Sequence, residues 1–162
     1  MIENLKIDTS PTPGKFQHLA NEVLVFLLGH LQALDRLEQE IYERHQLLAS
    51  ARPAPNQVHP DEDDLWDEYA QRCLEIITPI SIKPYKDTRS FGQPSKYEYL
   101  NYPGTKITIT VKSMNRAVIE VLFESAIAKK EQFVLKKVED SWKIDTKKYG
   151  FQDETTWYKD EL

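Results

Sequence analysis

Apolar residues recur at three- and four-residue steps from Phe16 to about Ile77, then mostly alternate with polar ones. Helical spacing gathers side chains on one stripe and alternation gathers them on one sheet face. The chain is therefore expected to form helices first and an antiparallel sheet second. One such sheet leaves an apolar face for the helices to cover, which is α+β architecture. At 162 residues a single core suffices, so one domain is expected.

Ser10-Pro11-Thr12-Pro13-Gly14 is a breaker cluster that separates an expected flexible arm (1–13) from the domain (14–162), with helices over about 14–79. Phe16, Leu19, Val23, Leu27, Leu31 and Ile41 mark the first helix. Straight from Gly14 to about Ala49 it would be roughly 54 Å long, against a radius of gyration near ~15 Å, so it bends or projects, with Gly29 the expected bend. Residues 23–28 are apolar almost all round, which fits a deep core position or a homodimer contact; monomer and homodimer both stay open.

Prolines 53 and 55 make 52–57 a linker, and Pro60 is placed at the first position of a second helix whose opening turns hold Asp61, Glu62, Asp63 and Asp64. Pro79 ends it. The sheet is expected over about 95–148: strands at 97–102, 106–112 and 117–123, then a hairpin of 132–138 and 141–147 around Glu139-Asp140. Phe133, Leu135, Trp142 and Ile144 form the hairpin's buried face. Asp153 is expected to cap a final helix over about 153–161.

The longest apolar run has six residues, far short of the roughly 20 that cross a bilayer, so no membrane span is expected. The opening residues lack the pattern of a secretory signal, which makes the expected location cytoplasmic. Cys73 is the only cysteine, and His18, His30, His45 and His59 are widely separated, so no disulfide, metal site or cofactor is expected. No Gly-rich phosphate loop or Gly-x-Ser-x-Gly elbow occurs. The net charge of −5 argues against direct nucleic-acid binding and favours a basic partner. Asp61, Glu62, Asp63, Asp64, Trp66, Asp67 and Glu68 put six acids around one aromatic, a pattern suited to docking a basic protein surface; the alternative is favourable charge at a solvated helix start.

The segment Phe133-Val134-Leu135-Lys136-Lys137-Val138-Glu139-Asp140-Ser141-Trp142-Lys143-Ile144-Asp145-Thr146-Lys147-Lys148 resembles the closing hairpin of the nuclear-transport-factor-2-like fold, most recognisably in Trp-x-Ile-Asp. Continuing through Tyr149-Gly150-Phe151-Gln152-Asp153-Glu154 and Trp157-Tyr158-Lys159, it resembles bacterial immunity proteins of polymorphic toxin systems. The hairpin turn departs from the pattern in lacking a glycine. The resemblance implies a cone of helices on a curved sheet and a non-enzymatic protein that neutralises a cognate toxin domain, with the acidic stretch as the expected toxin-binding site and no catalytic residue. The same superfamily contains enzymes resembling ketosteroid isomerase and polyketide cyclase. A deep pocket with a convergent acid and tyrosine would favour that alternative. Asp145, opposite Trp142 and Ile144 by alternation, and Asp35, Glu38, Glu40 and Glu43 are expected in solvated or packing roles, and Lys136, Lys137, Lys143, Lys147 and Lys148 as edge protection.

Overall fold

A computed structural model describes residues 4–87 and 93–162 of the chain. Two helices, α1 (Gln17–Ser50) and α2 (Glu62–Ile77), cover one face of a six-stranded sheet: β1 (Lys6–Asp8), β2 (Lys106–Ser113), β3 (Arg116–Glu124), β4 (Ala128–Val138), β5 (Ser141–Phe151) and β6 (Tyr158–Asp160). The strands lie side by side in chain order. β1 and β2 are parallel and every other pair is antiparallel. The architecture is α+β, with a mixed open sheet in place of a purely antiparallel one.

The covered face carries Ile107, Ile109 and Val111 from β2, Ala117, Ile119 and Val121 from β3, Phe133 and Leu135 from β4, and Trp142 and Ile144 from β5, all buried. Leu19, Val23, Leu27, Leu31 and Leu34 of α1 close over them at helical spacing.

Three expectations give way. The described part of the arm is anchored, because Leu5 is buried and β1 pairs Ile7 with Ile107; residues 1–3 lie outside the described residues. Beyond β1, Thr12 replaces a strand: its Oγ1 donates to Ile109 O (2.8 Å) and accepts from Val111 N (3.0 Å), covering an otherwise open edge. The 97–102 strand is instead a 3-10 turn (Glu98–Asn101), so the antiparallel part of the sheet begins at Lys106. Ser95 Oγ accepts from Tyr97 N and Thr105 Oγ1 donates to Tyr99 O, so side chains satisfy backbone groups that a ladder would otherwise use. Finally, 158–160 is strand β6, not helix, fixed by pairing of Lys147 with Asp160 and Tyr149 with Tyr158.

α1 runs without interruption through Gly29, so no break occurs at the expected bend. Gly29 is exposed, and a Cβ there would meet nothing within 4 Å. Burial of Leu27, Leu28 and Leu31 around it outweighs the local penalty. Gly29→Ala should stabilise the protein by about 0.5–1 kcal/mol, read as a higher urea midpoint at unchanged slope; a lower midpoint would mean that the helix needs glycine there.

The hairpin turn solves its missing glycine at a conformational cost. Glu139 and Asp140 both take positive φ, 51° and 64°, the geometry that two-residue hairpins require.

Candidate functional site

A register shift at Val134/Leu135 creates the site. Leu135 pairs with Ile144 but Val134 pairs with Thr146, which leaves Asp145 as an extra residue in β5. The bulge reverses the alternation begun by Trp142 and Ile144, so Lys147 comes to lie beside Phe133 and Tyr149 beside Glu131 on the covered face. Glu131 belongs to that face because it stands two residues before Phe133. Lys147 is thus no edge lysine: its side chain is 1% exposed.

Around Lys147 the interior is ionic. Its Nζ lies 2.8 Å from Asp160 Oδ2 and 3.6 Å from Glu131 Oε1, and donates to Glu161 O at 3.1 Å. The ammonium also stands 5.0 Å from the centre of the Tyr97 ring. Burial opposes its charge, but Tyr97, Glu131 and Asp160 outweigh burial and lift the pKa above the ordinary lysine value. Burial likewise pushes the Glu131 carboxyl above its ordinary range, with Lys147 and Tyr99 pulling the other way. Glu131 Oε2 and the hydroxyls of Tyr97 and Tyr99 are buried without a hydrogen-bond partner among the described residues, and burial raises the pKa of both tyrosines.

Beside this cluster lies a cavity of about 490 Å³. Tyr99, Tyr102, Phe123, Tyr149 and Phe151 form its aromatic walls, and Glu131, Lys147 and Asp160 are among its lining. On the helix side, Glu38 is buried, not solvated: Oε2 accepts from Lys96 N at 2.7 Å and Oε1 from the Tyr69 hydroxyl at 3.3 Å. Cys73 is buried nearby, and burial pushes its thiol up, away from a reactive thiolate.

The acidic stretch of α2 divides. Asp61, Asp63, Asp64 and Asp67 are exposed, and the last three have no ion-pair partner among the described residues. Glu62 is buried: it accepts from Arg52 Nε (3.0 Å) and His59 N (2.6 Å), with His45 Nε2 at 2.9 Å. Arg52 chiefly holds its carboxyl down at about 2. Glu68 binds Arg44 and Arg72, and Arg72 also reaches Glu40, so these residues join α2 to α1. Trp66 is half-buried, its ring centre 5.0 Å from that of His45. A groove beside His45, Trp66 and Tyr69 shares Gln93 and Lys96 with the lining of the cavity, and the exposed acids at the start of α2 line neither.

Among the described residues no cluster of three or more His, Cys, Asp or Glu could hold a metal ion, and no helix is long and apolar enough to cross a membrane. No family model, no curated protein and no solved structure matches the chain.

Proposed function

We propose that this chain is an immunity protein, which binds a cognate toxin domain in the producing cell and neutralises it by occluding its active site or locking it inactive. Two observations support this reading: exposed acids without ion-pair partners among the described residues at the start of α2, and an aromatic-walled cavity on strands β3, β4 and β5. Exposed like charges steer a basic partner, and aromatic side chains on rigid strands supply anchoring area. The resemblance of 133–159 to immunity proteins points the same way. If the toxin is a nuclease, its own phosphate-binding Lys and Arg would meet these acids.

Co-expression with the product of the neighbouring toxin-like gene tests the reading: a complex should copurify and growth should be restored. Absence of both would remove immunity. Reversing Asp63, Asp64 and Asp67 to Lys changes the formal net charge from −5 to +1. It should slow association about tenfold or more at low salt, with a smaller effect at high salt. Unchanged stopped-flow kinetics would exclude these acids from the interface.

A second reading, an isomerase- or cyclase-like enzyme, is favoured by one observation: Glu131 and Tyr99 converge at the same cavity. A buried carboxylate with a raised pKa is suited to moving a proton. Against it, Lys147 already stands beside that carboxylate and stabilises its charged form.

A further inference from the structure

We propose that a groove at the outer edge of β5 is a binding site for a phosphate monoester. The proposal stands apart from the immunity reading and does not rest on it. β5 is covered along this edge in two places. Ser81 bridges Ile144, with Ile82 N donating to Ile144 O at 2.9 Å, and β6 pairs with β5 from Lys147 to Tyr149. Between the two covers, where the bulge falls, Thr146 lines a groove of about 320 Å³. That size lies at the lower end of built binding sites, enough for a phosphoryl group with a small organic body.

The lining is cationic. Lys83, Lys86, Lys147, Lys148 and Lys159 meet two acids, Asp160 and Glu161. Both acids are already held: Lys147 Nζ lies 2.8 Å from Asp160 Oδ2, and Lys86 Nζ lies 3.5 Å from Glu161 Oε1. Neither Asp87 nor Asp145 belongs to the lining, and Asp145 pairs with Lys136 at 3.1 Å. Lys83, Lys148 and Lys159 are left without an ion-pair partner among the described residues, in a chain whose formal net charge is −5. Lys148 and Lys159 also stand directly opposite each other across β5 and β6. Like charges so placed destabilise a sheet. Edge protection does not account for the pair, because it calls for charge on the edge strand and Lys148 lies one strand in. A phosphate monoester brings what three free ammoniums lack: a charge of about −1.5 to −2 and three strong acceptor oxygens.

The test titrates the full chain, at constant ionic strength, with ribose 5-phosphate, with N-acetyl-O-phosphoserine amide and with a thymidine dinucleotide, whose phosphate is a diester. Backbone amide NMR shifts are followed. At least one monoester should shift Thr146, Lys148 and Lys159 saturably and bind about tenfold more tightly than the diester. Tighter binding of ribose 5-phosphate points to a free metabolite as the source, and tighter binding of the phosphoserine probe points to a phosphorylated polypeptide. Lys148→Gln and Lys159→Gln should each weaken the monoester about three- to tenfold. Each should also leave the urea midpoint unchanged or higher, since it relieves the repulsion across β5 and β6. Lys15→Gln, exposed just before α1 and outside the groove, should leave affinity unchanged. Shifts that fail to saturate, a diester bound as tightly as the monoesters, or full affinity in both Lys148→Gln and Lys159→Gln would overturn the site. A urea midpoint lowered by both substitutions would overturn it too, by showing that the two lysines serve the sheet and not a ligand.

Discussion

Trp142→Ala should destabilise the protein by about 3–5 kcal/mol. Trp142 is 4% exposed and stands on the covered face of β5 with Ile144, while Phe133 and Leu135 occupy the same face of β4. Removing an indole from such a site takes away its transfer free energy and leaves a cavity that the strands cannot close. For a domain of this size, roughly 2–4 °C of melting temperature is lost per kcal/mol, so the midpoint should fall by roughly 6–20 °C. Trp142 Nε1 has no hydrogen-bond partner among the described residues. Trp142→Phe should therefore be much milder than Trp142→Ala, since shape is lost but no hydrogen bond. Leu47, 71% exposed on α1, supplies the control, where alanine should change stability by less than about 0.5 kcal/mol. Calorimetry decides: a Trp142→Ala midpoint within about 2 °C of wild type would mean that the hairpin does not close the core.

The parts of the fold that were legible in the sequence have strong, uninterrupted periodicity. Spacing from Leu19 to Ile41 marks α1, and clean alternation at Ile107, Ile109 and Val111 marks β2. Parity alone puts Phe133 with Leu135 and Trp142 with Ile144 on the buried face of their strands. What alternation could not reveal is a residue that interrupts it. Asp145 carries no signal of a bulge, yet by adding one residue to β5 it turns Lys147, Tyr149 and Phe151 inward and makes the cavity. Glu131 could have been found by extending the Phe133–Leu135 parity back by two residues. Tyr97 and Tyr99 mimic a strand because aromatic residues two apart read as period two; flanking Pro94 and Pro103 and the side-chain hydrogen bonds of Ser95 and Thr105 produce a turn instead. The acidic stretch was visible as charge, but not which acids were already taken. Glu62 is claimed by Arg52, ten residues earlier, and Glu68 by Arg44 on the other helix.

Lys147→Met should be as damaging as the loss of Trp142, about 3–5 kcal/mol, because it leaves Glu131 buried without its compensating charge. The loss is electrostatic, so it should depend on pH and be curable. Burial already holds the Glu131 carboxyl above its ordinary value with Lys147 pulling it down; removing Lys147 raises it further. A carboxyl with a raised folded pKa binds more protons folded than unfolded at pH values between the two, so stability falls as pH rises through that window. The Lys147→Met deficit should accordingly be larger at pH 8 than at pH 5, measured by urea unfolding at both. Adding Glu131→Leu removes the second charge. Asp160, 29% exposed, can still be hydrated, so the double variant should recover most of the lost stability and lose the pH dependence of the single one. A single variant with the same deficit at both pH values, or a double variant no better than the single, would show that Lys147 supports the sheet by packing its stem and not by balancing Glu131.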